Sequence, residues 1–90
     1  MEKLKFQLTV YKRGEEYIYL IYPQTFGDLF QPKEYVWAFK GEPVLQEEIF
    51  SVEGEISPDQ TISELIELEK RLKEQARLIA AERGIKVNNL

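Results

Sequence analysis

Residues 4–22 read Leu4-Lys5-Phe6-Gln7-Leu8-Thr9-Val10-Tyr11, then Lys12-Arg13-Gly14-Glu15-Glu16, then Tyr17-Ile18-Tyr19-Leu20-Ile21-Tyr22. In the first run Leu4, Phe6, Leu8 and Val10 alternate with Lys5, Gln7, Thr9 and Tyr11, the period of a strand with one face in the core and one outside. The last run is apolar on both faces and rich in aromatic and branched side chains, as a central strand is. The two runs therefore form an antiparallel hairpin, with strands over about 3–12 and 16–22. Gly14 supplies the left-handed residue that a tight connection needs. With a three-residue loop closed by a bulge, Tyr11 pairs with Glu15, Leu8 with Ile18 and Phe6 with Leu20. That register puts Ile18, Leu20 and Tyr22 on the core face with Leu8 and Val10. It leaves Tyr17, Tyr19 and Ile21 on the other face with Gln7, Thr9 and Tyr11, and a slip by one residue would exchange the two sets.

Downstream, Pro23 ends the second run, and Gln24 to Glu34 make a long connection broken by Gly27 and Pro32. It carries Phe26, Leu29 and Phe30, an unusual apolar load for a loop, which suits either a lid over one end of the core or a partner-binding segment. Tyr35-Val36-Trp37-Ala38-Phe39-Lys40 predicts a third strand over 35–40. Gly41-Glu42-Pro43 is a turn into a fourth strand over about 44–53. In that fourth strand Leu45 and Ile49 share one parity while Phe50, Val52 and Ile56 share the other, which places a bulge near Glu48 and Ile49.

From Thr61 the period changes to 3.6, and the helix is expected over about 59–83. Thr61-Ile62-Ser63-Glu64 forms a capping box, with Ser57 ahead of Pro58 as an earlier start, and Gly84 stands where a Schellman ending wants glycine. Ile62, Leu65, Ile66, Leu72, Ala76, Ile79 and Ala80 fall on one stripe, with Leu68 at its margin and Leu78 roughly opposite. Residues 85–87 suit a short edge strand. The expected architecture is a single α+β domain over residues 1–90: a four-stranded antiparallel meander followed by one long amphipathic helix packed on one face.

Composition narrows the chemistry. The 90 residues contain no cysteine and no histidine, which removes thiolate nucleophiles, zinc-finger ligands and the commonest general base. Glu47, Glu48, Glu53 and Glu55 are the only concentrated acidic stretch. At consecutive or alternate strand positions such glutamates keep an edge soluble rather than converge on a substrate. No phosphate-binding loop, cation loop or nucleophile motif is present, so a non-catalytic chain without a cofactor is expected. Twelve basic against sixteen acidic residues give a net charge of −4, which disfavours a nucleic-acid partner. The first residues lack a secretory h-region, and the longest apolar run is far short of the ~20 residues a membrane helix needs, so a cytoplasmic location is the default.

Two surfaces then remain as candidates for function. A helix of about 22 residues is ~33 Å long, whereas four strands make a sheet only ~15–19 Å wide. The overhang, with Leu78, suits a homodimer or an unidentified protein partner. The sheet face opposite the helix would offer Tyr11, Tyr17 and Tyr19. If Tyr35, Trp37 and Phe39 joined them, the face would become a platform able to stack single-stranded nucleic acid, the alternative function. The hydrophobic payload of Trp37 and Phe39 favours turning them toward the helix instead. The expected role is thus a small protein-interaction or assembly module, probed through Tyr11, Tyr17, Tyr19, Phe26, Leu29, Phe30 and Leu78.

Overall fold

In the computed structural model, which describes residues 4–24, 35–37, 43–57, 59 and 62–90, the strands are β1 (Leu4–Arg13), β2 (Glu16–Pro23), β3 (Tyr35–Trp37) and β4 (Pro43–Ile56). The helix α1 is Ile62–Arg83. The fold is α+β, an antiparallel sheet with one C-terminal helix on one face. Three long strands carry the sheet, and among the described residues the three of β3 extend it beyond β4. The order β2-β1-β4-β3 is also not a meander: β1 is central and pairs with both β2 and β4, and β2, whose apolar run suited a central strand, is an edge strand. The alternation in Leu4 to Tyr11 was legible as one buried face. That the same strand would be flanked on both edges was not, because a half-polar strand reads as an outer one.

The hairpin register also differs from expectation, and the difference decides the surface. Arg13 pairs with Glu16, Val10 with Tyr19 and Leu8 with Ile21, so the loop is Gly14-Glu15 alone. Gly14 has φ 61° and Glu15 has no positive φ, the form of a two-residue type II′ turn with glycine first. Both loops satisfy Gly14; they differ by an odd number of positions and therefore in parity. Tyr17, Tyr19 and Ile21 consequently pack against the core on the helix side, while Ile18, Leu20 and Tyr22 lie on the opposite face.

The β1–β4 register shifts between Val10 and Tyr11, with Val10 opposite Phe50 and Tyr11 opposite Glu48. Ile49 is the extra residue, so the bulge falls where the change of parity placed it. The Ile49 carbonyl accepts a hydrogen bond from Arg83 Nη1 at 3.2 Å, and the Arg83 guanidinium stands 5.2 Å from the Phe50 ring centre.

The core is Leu8, Val10, Phe50, Val52 and Ile56 from the sheet, met by Leu68, Leu72, Ala76 and Ala80 from α1 and by Val87 beyond it. Gly54 makes the close approach possible. A Cβ there would lie 2.5 Å from Leu68 Cδ1, so Leu68 sits at the centre of the interface rather than at its margin. The helix ends in the Schellman form, with the Ile85 N–H donating to Ala80 at 3.0 Å, the Gly84 N–H donating to Ala81 at 3.2 Å and Gly84 at φ 68°. Lys70 pairs with Glu67 at 3.9 Å on the exposed side of α1, and Lys73 with Glu69 at 3.3 Å on the flank toward β2. Beyond the helix the tail turns onto the edge of β2. Val87 forms a parallel bridge to Tyr17, and the Asn88 N–H donates to the Tyr17 carbonyl at 2.9 Å. The expected strand over 85–87 is thus a single bridge, braced by Arg77 Nε donating to the Leu90 carbonyl at 3.0 Å.

Candidate interaction surface

Among the described residues, the tyrosines on the sheet face opposite the helix are buried rather than displayed as an open platform. Thr9, Tyr11 and Tyr22 are buried there, and their polar atoms are tied together. Gln7 Nε2 donates to Thr9 Oγ1 at 2.8 Å and to the Tyr22 hydroxyl at 3.0 Å, and Thr9 Oγ1 and the Tyr22 hydroxyl are 2.9 Å apart. Burial pushes the Tyr11 phenol well above its ordinary value, and its hydrogen bond with Tyr22 adds to the effect. Among the described residues every buried side-chain polar atom is satisfied, as such a network requires. Tyr11 is therefore a structural residue, and Tyr17 and Tyr19 lie on the other side of the sheet.

That other side is incompletely covered. The helix packs over β4 and β1, leaving Tyr19 and Ile21 of β2 half-buried at its flank. Lys73 reaches across to the Tyr19 ring with Nζ 5.6 Å from its centre, and its ammonium is held charged by the Tyr19 hydroxyl first and Glu69 second. Ile62, Ile66, Glu69 and Lys73 follow at alternating spacings of four and three, so they share the flank of α1 that faces β2. Ile62 is 76 % exposed and Ile66 47 %, with Leu65 also exposed. The first two turns of the helix thus carry uncovered apolar side chains that the stripe had assigned to the core. Among the described residues, burial along α1 begins at Leu68. Between this flank and the sheet lies a groove of about 280 Å³ lined by Phe6, Ile21, Leu65, Leu68, Glu69 and Leu72.

A second, more open concavity of about 500 Å³ runs along the edge of β2, between Ile18 to Ile21, Glu69 and the tail residues Asn88 and Asn89. Leu78, although 64 % exposed, stands on the far margin of α1 with Arg71, Glu74 and Glu82 at helical spacing around it. It is a single exposed leucine among charges, which needs no partner to explain it. Phe26, Leu29 and Phe30 lie outside the described residues, as do the side chains of Tyr35 and Trp37 and the Thr61 cap.

The acidic stretch does not converge. Glu48 stands opposite Tyr11 and Glu47 opposite Lys12, which puts them on different faces. Glu55 meets Lys5 at 3.7 Å, and Glu53 accepts a hydrogen bond from Gln24 at 2.9 Å. No group of three or more acidic, cysteine or histidine side chains is placed to hold a metal among the described residues. No helix among them is long and apolar enough to cross a membrane.

Leu20, Ile21, Ile62, Leu65 and Ile66 are the surface residues that the sequence reading did not single out. The signal for the first two was the second way of closing a loop on Gly14. For the rest it was the excess of helix length over sheet width. The chain matches no family model, no curated protein and no solved structure.

Proposed function

We propose that this chain is a small, non-catalytic protein-interaction and assembly module that associates with itself. The observation supporting this reading is the exposed apolar cluster of Ile62, Leu65 and Ile66 at the start of α1, bordering the groove that Leu65 shares with Phe6 and Ile21. Exposed apolar side chains that adjoin one another and an apolar groove mark contact surfaces, whereas scattered ones do not. The overhang of the helix past the sheet is thereby assigned a use. Single-stranded nucleic acid would need stacked aromatics on an exposed face, and Tyr11 is buried while Tyr17 and Tyr19 pack on the helix side. The protein partner is the reading these positions favour.

Solution mass by light scattering over a dilution series, at low and high salt, tests the proposal. A species near twice 10.6 kDa that persists at high salt is expected, because the flank is apolar. A mass of 10.6 kDa at every concentration would remove self-association from the reading.

A further inference from the structure

The exposed start of α1 specifies how two copies would meet, given the self-association proposed above. Ile62 and Ile66 stand one turn apart on the same side of the helix, both exposed, and Glu69 and Lys73 continue that side toward Tyr19. Leu65 and Glu69, each three residues beyond one of these isoleucines, line the groove with Phe6 and Ile21. Each chain therefore carries an apolar ridge next to an apolar groove. A two-fold pairing uses such a self-complementary patch on both copies at once.

The sheet leaves space on this side. A helix is about 10 Å across, the width of two strands, and α1 packs over β4 and β1. On the helix side of β2, Tyr19 and Ile21 stay half-buried. Charge then fixes the direction of a second copy. Asp59 stands ahead of Ile62, and Lys70 and Lys73 follow Ile66, so the ridge runs from acidic through apolar to basic. Lys70 is exposed and held by Glu67 only at 3.9 Å. Two parallel copies would set Lys70 against Lys70 and Asp59 against Asp59. Antiparallel copies set the acidic start of each ridge against the basic third turn of the other, and such complementarity selects register and orientation more than strength.

We propose that the protein dimerises through the first turns of α1, packed antiparallel about a two-fold axis level with Glu64. Ile62 of each copy then meets Ile66 of the other, and Asp59 approaches Lys70 across the interface. Other registers lose one of these contacts. An axis at Ile66 keeps a single isoleucine pair and sets Ile62 against Lys70. An axis at Ile62 carries Ile66 past the first residue of the facing helix. Only the axis level with Glu64 buries both isoleucines of both copies against each other.

Exposed positions allow a test on the full-length protein. Ile66→Asp is expected to raise the dimer dissociation constant roughly tenfold or more by sedimentation equilibrium, and Leu78→Asp to leave it unchanged. Asp59→Lys should weaken the dimer several-fold, and adding Lys70→Glu should restore it, because the two positions lie at opposite ends of the ridge within one chain. The chain has no cysteine, so introduced ones report the register cleanly. Mild oxidation of an equimolar mixture of the Ile62→Cys and Ile66→Cys proteins is expected to give mostly the mixed covalent dimer. If the unmodified protein is dimeric but Ile66→Asp leaves the dissociation constant unchanged, or the mixture links no faster than Leu78→Cys alone, this arrangement is overturned and self-association stands. If the unmodified protein is monomeric throughout the dilution series, both fall. Should Ile66→Asp lose its far-UV circular dichroism, the charge exchange and the cysteine mixture decide.

Discussion

Thr9 is a small polar side chain buried in the middle of a sheet face, and it persists there because Gln7, Tyr11 and Tyr22 close over its hydroxyl. A buried phenol in such a network keeps its proton. Tyr11 is expected to ionise well above the ordinary 10.0 in an absorbance titration at 295 nm, and Tyr11→Phe should remove that late step. The folded state holds the Tyr11 proton more tightly than the unfolded chain, so this contribution is complete below pH 10.0 and is lost as pH rises past it. Urea midpoints measured at pH 9 and above 10 should fall, and Tyr11→Phe should flatten that fall. Gly54 is the other residue whose role is specific. Gly54→Ala drives a methyl into the Leu68 side chain, which must shift from its buried place beside Leu72 to make room. A loss of ~1–3 kcal/mol is expected by chemical denaturation. Pairing it with Leu68→Ala should give a coupling of ~0.5–3 kcal/mol, since the two share one space.

At the scale of elements, the bulge and the helix C-terminus are tied by one side chain. Arg83 covers the Phe50 ring and donates to the carbonyl of Ile49, the residue left without a partner across the ladder. Arg83→Met keeps the stem and removes the donor. It should lower stability by ~0.5–1.5 kcal/mol, read as a shift in the denaturant midpoint with an unchanged slope. The helix, its glycine ending, the bulge and the inward face of β1 were legible in the sequence because each is encoded by a local period or a local special residue. The hairpin register was not legible. Gly14 satisfies two loops of opposite parity, and the apolar run Tyr17 to Tyr22 fits either face, so nothing local chose between them. The strand order was hidden for a related reason, since alternation in β1 reports one buried face and is silent about which strands lie on its edges. Of the candidate surface, Leu78 was visible as an exception to the stripe but stands alone. The flank at Ile62 and Ile66 looked like core because periodicity cannot tell where burial along a helix begins.

For the whole molecule, Leu72 is the point where helix and sheet depend on each other. It is buried against the sheet and lies at the centre of the stripe. Leu72→Asp would bury an unpaired carboxylate in a domain whose total stability is of the order of 5–15 kcal/mol, and loss of cooperative thermal unfolding is expected by circular dichroism. A central β1 also fixes an order of events. Pairing Leu8 with Ile21 needs only the two-residue turn, whereas pairing Leu8 with Val52 must bring together residues separated by nearly half the chain. The longer closure costs about 1 kcal/mol more in chain entropy. The hairpin can form in ~1–10 μs on its own, but it stays marginal until β4 and the helix arrive to cover its apolar side. Folding speed is therefore governed by the capture of β4 on the far edge of a strand already paired on its near one. Substitutions in the turn at Gly14 should then act on the folding rate, and those at Gly54 mainly on unfolding.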